Sequence, residues 1–193
     1  METIHGVTAE PILSRAAKSY HRAMTAESTL VSVEKYLRTN YKPACDYIDG
    51  VLHQKPMPTR KHGSTQARLA QLINECSPDL DAETEVNVRI REGKYLVPDL
   101  IVQERDRIQD PYPSEPVYLC VEVLSPDDRL SVVVSKCEDY AAWGVQTSWI
   151  VDPESQRAWE YSSRQLLVEV PAAGSLQAGT ISIPLADVFS VLA

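Results

Sequence analysis

Helical periodicity marks three segments of the chain. Apolar residues recur at helical spacing over residues 31–39, 62–75 and 130–143, which predicts one short amphipathic helix and two longer helices. Gly144 directly follows the third segment and is well placed to end that helix. A further short helix is predicted over residues 184–192.

Short apolar runs between turn residues predict the strands. Residues 45–53 contain two strands that form a hairpin, because Asp49-Gly50 is a strong turn signal. The other predicted strands span residues 82–90, 94–103, 117–124, 147–151, 157–162 and 166–170. Helices interspersed with strands favour an α/β fold in which one mixed β-sheet is flanked by helices.

Length and pattern together indicate a single domain. The chain has 193 residues, which is enough for one well-packed domain. Residues 1–23 carry no clear periodic pattern, so we expect a flexible N-terminal extension there and one domain over residues 24–193. Met24 is an alternative start for the translated chain.

Composition and charge narrow the class of protein. Apolar residues make up 44% and charged residues 24% of the chain, as in ordinary globular proteins. No apolar run approaches the roughly 20 residues that span a bilayer, and the first residues lack a secretory signal, so we expect a cytoplasmic protein without membrane contact. A net charge of −8 argues against a generally DNA-coating surface but leaves room for a local basic groove.

The four cysteines lack the spacing of a zinc site. Cys45, Cys76, Cys120 and Cys137 include no Cys-x-x-Cys pair. Because free cysteine behaves as a small buried hydrophobic residue, we expect all four to be reduced core residues.

Two acidic residues interrupt predicted core strands. Asp99 follows Pro98, and Glu122 lies in a run that is apolar on both faces. Such a strand is usually central in its sheet, where an unpaired carboxylate is costly to bury. Two carboxylates on neighbouring strands can share a cation. The alternative for Asp99 is a carboxylate on an edge strand that is hydrogen-bonded to a loop, since proline is typical of edges, bulges and strand starts.

A lysine lies on the apolar side of the helix predicted over residues 130–143. Val132, Val133 and Tyr140 are same-face neighbours of Lys136. The ammonium group reaches water while its stem covers the apolar stripe, or it points to the strand carboxylates or to a substrate anion. We favour the second interpretation, because mutually paired charges cluster at functional sites.

Aspartate, glutamate and lysine together suit phosphodiester hydrolysis. Carboxylates bind Mg²⁺ through oxygen, with water and substrate phosphate completing the coordination. The metal activates a water molecule, and a lysine can orient that water or offset negative charge. We therefore predict Asp99 and Glu122 as catalytic metal ligands and Lys136 as a third catalytic residue, with Mg²⁺ or Mn²⁺ as the cofactor.

Several motifs occur along residues 24–190. They are Asp46-Tyr47-Ile48-Asp49-Gly50, His62, Pro98-Asp99, Val121-Glu122-Val123-Leu124-Ser125-Pro126, Lys136 with Tyr140, Gly144-Val145 and Trp149-Ile150-Val151-Asp152-Pro153. Taken jointly, they resemble the Uma-two group of restriction endonucleases, which belongs to the PD-(D/E)XK nuclease superfamily. The resemblance implies a restriction-endonuclease-like core, a Mg²⁺-dependent site, action on DNA and frequent homodimers.

The resemblance also assigns roles by position. Asp99 is the motif aspartate and Glu122 is the motif glutamate, but Leu124 stands where the superfamily usually has its lysine. The Uma-two group places that lysine on the next helix, where Lys136 stands.

Three further residues are auxiliary candidates. Asp46 is either an additional metal-site carboxylate or a strand-end residue near a turn. His62 either contacts phosphate or serves at the helix start or in the core, and Gln66, one turn further on, is a weaker candidate of the same kind.

Two other interpretations are compatible with these residues. A catalytically inactive domain of the nuclease fold could bind DNA or a protein partner. In a plain structural core, Lys136 would neutralise Glu122 and no metal would bind. A metal-dependent endonuclease acting on DNA remains the leading hypothesis.

Overall fold

Residues 30–192 are described by a computed structural model, so the extension expected over residues 1–23 lies outside the described residues. In the described part, the α-helices are α1 (Val33–Leu37), α2 (Arg60–Cys76), α3 (Leu130–Trp143) and α4 (Leu185–Phe189). The strands are β1 (Cys45–Ile48), β2 (Val51–Gln54), β3 (Leu80–Thr84), β4 (Val88–Arg91), β5 (Lys94–Leu96), β6 (Leu100–Glu104), β7 (Leu119–Val123), β8 (Ser148–Asp152), β9 (Arg157–Ser162), β10 (Leu166–Glu169), β11 (Ser175–Ala178) and β12 (Ile181–Pro184).

A six-stranded mixed sheet forms the centre of the fold. Its strand order is β10-β9-β8-β7-β6-β3; β7 and β8 run parallel, and the other neighbouring strands run antiparallel. The predicted α/β class, with a mixed sheet flanked by helices, is confirmed. Strand β7, which carries Glu122, lies between β6 and β8, so its predicted central position is also confirmed.

The sequence predicted one mixed sheet, but the strands of residues 30–192 form three sheets. The main reason is that two of the predicted strands are interrupted. The strand predicted over residues 82–90 divides into β3 and β4, and Glu85 between them has a positive φ of 53°. The strand predicted over residues 94–103 divides into β5 and β6, since Pro98 has no N–H to donate to a ladder. Strands β4 and β5 instead join the β1–β2 hairpin in a four-stranded sheet of order β2-β1-β5-β4. Strands β11 and β12, which were not predicted, form a separate two-stranded sheet.

The two long helices agree closely with the predictions. Helix α3 covers residues 130–143 as predicted, and Gly144 ends it with a φ of 125°. A Cβ atom at residue 144 would lie 2.8 Å from Cγ of Pro116, so both backbone conformation and space require glycine there. Helix α2 begins at Arg60, after the Thr59 side chain accepts a hydrogen bond from the backbone N–H of His62. No helix within residues 30–192 is both long and apolar enough to cross a membrane.

Helices α2 and α3 cover opposite faces of the six-stranded sheet. Leu100 of β6 packs in an apolar cluster with Ile73 of α2, whereas the next residue, Ile101, packs in a second cluster with Tyr140 of α3. This division follows from strand geometry, because successive side chains point to opposite faces. The same alternation in β7 directs Glu122 towards α3.

The cysteines divide between core and surface. Cys45, Cys120 and Cys137 are buried, as expected, and Cys76 is exposed. The prediction that all four lie in the core was therefore wrong for Cys76. This residue ends α2, where the chain turns at the surface.

We expect Ile73→Ala to lower the free energy of unfolding by roughly 2–5 kcal/mol, because it opens a cavity at a fully buried position between α2 and the sheet. Ile108→Ala makes the same chemical change at a residue that is 44% exposed, and it should cost less than about 0.5 kcal/mol. Urea denaturation of both variants measures the difference. Equal losses would contradict the packing of α2 against the six-stranded sheet.

Candidate active site

Strands β6 and β7 bring the two candidate acids together. Asp99 directly precedes β6, whose antiparallel register pairs Leu100 with Val121 of β7. The backbone N–H of Val123 donates a 2.6 Å hydrogen bond to Oδ2 of Asp99. The carboxylate of Asp99 is therefore bound by the residue that follows Glu122 on the central strand.

The carboxylate of Asp99 is enclosed by donors. The residue is 1% exposed; Nζ of Lys55 lies 2.5 Å from its Oδ1, and Nε2 of His62 lies 3.3 Å from its Oδ2. Burial alone raises the pKa of Asp99, but the charge of Lys55 and the contact with His62 outweigh burial, so this pKa lies well below its usual range. Asp99 is therefore ionised at neutral pH.

Glu122 has a different environment. Its Oε1 accepts a 2.5 Å hydrogen bond from the hydroxyl of Tyr140 and forms an ion pair with Nζ of Lys136 at 2.7 Å. Burial raises the pKa of Glu122; Lys136 and Lys55 oppose that rise, and the neighbouring Asp99 adds to it. The pKa of Glu122 ends above its ordinary value, so this carboxylate is stabilised by any additional cation or by a proton.

Lys136 joins Glu122 to Asp46. Its Nζ lies 3.4 Å from Oδ2 of Asp46, whose Oδ1 accepts a 2.7 Å hydrogen bond from the backbone N–H of Val97. Burial lowers the pKa of Lys136, but the charges of Asp46, Glu122 and Asp99 more than compensate. The pKa of Lys136 therefore lies above its usual value, and the ammonium group is charged.

Leu124, at the position where the superfamily usually has a lysine, is a core residue. It is 8% exposed and packs in one apolar cluster with Val133 and Cys137 of α3. Lys136 lies on the same helix, one residue before Cys137. The ammonium group next to Glu122 is thus supplied by α3, not by β7.

The three carboxylates of this cluster outnumber its two ammonium groups, and the imidazole of His62 is the further basic group beside Asp99. The carboxylates of Asp46, Asp99 and Glu122 face the ammonium groups of Lys55 and Lys136. Buried charges are stable only when they are paired and hydrogen-bonded. The cluster therefore favours uptake of a further cation or a proton.

The donor set fits Mg²⁺ or Mn²⁺ better than zinc. Within residues 30–192, no group of three or more His, Cys, Asp and Glu side chains is arranged to hold a metal ion. Mg²⁺ is usually held by only one or two carboxylates, together with water and substrate phosphate. Asp99 and Glu122, the pair that the sequence predicts as metal ligands, provide two such carboxylates beside the groove.

The cluster opens into a groove of about 1250 Å³. The charged side chains that line it are Asp46, Lys55, His62, Asp99, Glu122 and Lys136, among others. Each of these groups is largely buried by the protein but borders the groove. A ligand that enters the groove can therefore reach the charged cluster.

All six residues that the sequence singled out lie in or beside this cluster. They are Asp46, His62, Gln66, Asp99, Glu122 and Lys136. Gln66 contacts the backbone of Asp99 and not its carboxylate: the side-chain Nε2 of Gln66 donates a 2.7 Å hydrogen bond to the carbonyl oxygen of Asp99. Lys136 contacts Glu122 and Asp46, while Lys55 contacts Asp99. The catalytic and metal-binding roles of these residues stay predictions.

Sequence reasoning missed two participants. Tyr140 carried a usable signal, since it lies four residues after Lys136 on the same helical face. Lys55 carried none: it follows the polar end of β2, and its partner Asp99 is 44 residues further along the chain. Only the pairing of the hairpin with β5 brings Lys55 to the site.

The chain is similar in fold to a solved structure and matches the model of one protein family. The fold is similar to that in a structure titled "Crystal structure of a putative nuclease belonging to DUF820 from Anabaena variabilis ATCC 29413", with 24% sequence identity and a TM-score of 0.73, covering 84% of this chain and 99% of that chain. The architecture is thus that of the restriction-endonuclease-like fold. The chain belongs to the Uma2 family, described as "Putative restriction endonuclease", whose model matches residues 33–186. The family resemblance seen in the sequence is confirmed. No curated protein matches the chain.

We expect Lys136→Met to lower the free energy of unfolding by roughly 3–5 kcal/mol at pH 7, because it leaves Glu122 and Asp46 without their shared ammonium group. Lys61→Met is the matched control. It breaks a half-exposed ion pair with Glu154 and should cost about 0–1 kcal/mol. Urea denaturation compares the two, and similar losses would show that the buried pairing is unimportant.

The depressed pKa of Asp99 predicts a pH-dependent loss of stability. Below the ordinary value of 3.8, the unfolded chain binds a proton at Asp99 that the folded chain does not. The stabilisation is therefore complete above about pH 4 and is lost as the pH falls through the folded pKa. Asp99→Asn should lower the free energy of unfolding at pH 5–7, and its difference from the wild type should narrow below pH 4. Urea titrations across this pH range test the direction of the change. For the exposed Asp106→Asn, the difference in stability from the wild type should not change with pH in this way.

Proposed function

We propose that this protein is a metal-dependent endonuclease that hydrolyses phosphodiester bonds in DNA. The observation that carries the proposal is the meeting of Asp99, Glu122 and Lys136 in one buried cluster that borders a groove. Membership of the Uma2 family supports nuclease activity. The excess of carboxylates over lysines in the cluster supports a bound cation.

Asp99 and Glu122 would hold Mg²⁺ or Mn²⁺ through their carboxylate oxygens. The bound metal would supply water activation and neutralisation of negative charge on the phosphate. Lys136 and Tyr140 both bind Oε1 of Glu122, so they fix the orientation of this carboxylate. The Lys136 ammonium group can also orient the attacking water or offset charge on the phosphate.

The auxiliary residues have positioning roles in this proposal. Both oxygens of Asp46 are used, one by the backbone of Val97 and one by Lys136, so Asp46 holds Lys136 in place. His62 and Gln66 contact the side chain and the carbonyl of Asp99, respectively. These contacts fix the motif aspartate from two turns of α2.

The substrate and the assembly in this proposal follow from the family resemblance, and the location and the domain bounds follow from the sequence pattern. We propose DNA as the substrate, a homodimer as the assembly, the cytoplasm as the location, and one domain over residues 24–193 as the active unit. The groove supplies the site at which a DNA phosphate would meet the charged cluster.

A second candidate function is a catalytically inactive domain of the same fold that binds DNA or a protein partner. The specific observation in its favour is that both carboxylate oxygens of Asp99 already contact protein donors. A net charge of −8 also disfavours broad contact with DNA.

The purified protein should cleave supercoiled plasmid DNA when Mg²⁺ or Mn²⁺ is present, and a chelator should stop the reaction. Asp99→Asn and Glu122→Gln should each lower the cleavage rate by about 100-fold or more, because each removes a charged group from the reacting centre. Asp106→Asn and Glu92→Gln are matched controls at exposed acids and should retain the wild-type rate. Agarose gels give the rates, and circular dichroism shows that each variant is folded.

Two outcomes would contradict the proposal. Equal cleavage by the wild type and both site variants would assign the activity to a contaminant or to another site. Absence of cleavage by the folded wild type, together with a metal-independent shift of DNA in a gel, would favour the inactive binding domain.

A further inference from the structure

Lys55 provides Asp99 with an internal counter-ion. Its Nζ lies 2.5 Å from Oδ1 of Asp99 and donates a 2.9 Å hydrogen bond to the carbonyl oxygen of Val97. The side chain of Lys55 is 14% exposed, whereas that of Asp99 is 2% exposed. Of these two charged groups, Lys55 is the more accessible to a ligand in the groove.

Every carboxylate oxygen of Asp99 already has a donor within residues 30–192. Oδ1 contacts Lys55, and Oδ2 contacts the backbone N–H of Val123 and Nε2 of His62. A metal ion that binds Asp99 must therefore share or displace one of these donors. The backbone of Val123 is fixed in β7, and His62 is 4% exposed and held on α2. Lys55 has a long flexible stem and lies just beyond the end of β2, so it is the donor that can withdraw.

We propose that Lys55 is a tethered competitor of the divalent metal at Asp99 and thereby sets the metal affinity of the site. This inference rests on the proposed function, since it requires a metal ion on Asp99. In the metal-free protein, the ammonium group pairs with the buried carboxylate; when the metal binds, the ammonium group withdraws into the groove. The apparent affinity for the metal is then the intrinsic affinity multiplied by the fraction of molecules in which Lys55 leaves Asp99 open.

The charge of Lys55 acts on both proposed metal ligands. It lowers the pKa of Asp99, and it lowers the pKa of Glu122 against the effect of burial. A divalent ion held by these two carboxylates would act in the same direction with a larger charge. Lys55 and the metal are thus alternative cations for one position, whereas Lys136 stays with Glu122 and Asp46.

The first test measures Mn²⁺ binding without DNA by isothermal titration calorimetry. Lys55→Met should bind Mn²⁺ roughly tenfold more tightly than the wild type, within the usual range of coupling between two ligands. Lys61→Met removes the same charge from an exposed ion pair and should bind Mn²⁺ as the wild type does. In parallel, Mn²⁺ should raise the melting temperature of Lys55→Met more than that of the wild type.

The second test uses the unmodified chain, so it does not depend on the folding of a variant. Mild acetylation followed by peptide mass spectrometry measures the reactivity of each lysine with and without Mg²⁺. Lys55 should become several-fold more reactive when Mg²⁺ is added, because its amine leaves Asp99 for the groove. Lys61 should keep the same reactivity, since it pairs with Glu154 and does not line the groove.

The outcomes separate this inference from the proposed function. Tighter binding to Lys55→Met, with increased reactivity of Lys55, supports the competition. Equal Mn²⁺ affinity in the wild type and Lys55→Met, or a Lys55 reactivity that Mg²⁺ leaves unchanged while metal binds, overturns the inference and leaves metal-dependent function intact. Absence of Mn²⁺ binding to both proteins overturns the inference and the proposed metal dependence together.

Discussion

The burial of acidic side chains beside the central strands is the constraint on which the rest of the structure depends. Asp99 and Glu122 are almost inaccessible to solvent, and each must be compensated by groups from other elements. Helix α3 supplies Lys136, helix α2 supplies His62, and the residue after β2 supplies Lys55. The electrostatics of the cluster therefore tie the four-stranded sheet and both long helices to one point on the six-stranded sheet.

Apolar packing holds the charged side chains of the cluster in position. Because β6 and β7 alternate their side chains between α2 and α3, Glu122 meets α3 among apolar neighbours. Glu122 is almost inaccessible to solvent, so burial raises its pKa while Lys136 limits the rise. Tyr140 belongs to the apolar cluster on this face, and its hydroxyl also donates a hydrogen bond to Glu122. The same packing that stabilises the sheet thus prepares the carboxylate for a cation.

Local sequence patterns were sufficient to predict α3, the β1–β2 hairpin and β7. Helical periodicity, the Asp49-Gly50 turn and an apolar run are all local properties of the chain. They were insufficient where pairing depends on distant residues. The positive φ of Glu85 and the missing N–H of Pro98 divide two predicted strands, and the separated halves pair in different sheets. For the same reason the sequence indicated Lys136, which has a helical stripe around it, and not Lys55, whose partner comes from another element.

The presence of two lysines at the site bears on the choice between an enzyme and a purely structural core. A structural core would be most stable with every charge paired, yet the cluster sets three carboxylates against two ammonium groups and the imidazole of His62. Lys136 is shared by two acids and is deeply buried, whereas Lys55 forms an ion pair with Asp99 and remains partly accessible from the groove. The two lysines therefore differ in accessibility, and our proposal assigns the fixed charge to Lys136 and the exchangeable charge to Lys55. Under that proposal, a metal ion would replace the ammonium group of Lys55 at Asp99 while Glu122 keeps its ion pair with Lys136, whereas a purely structural core would need both lysines in place.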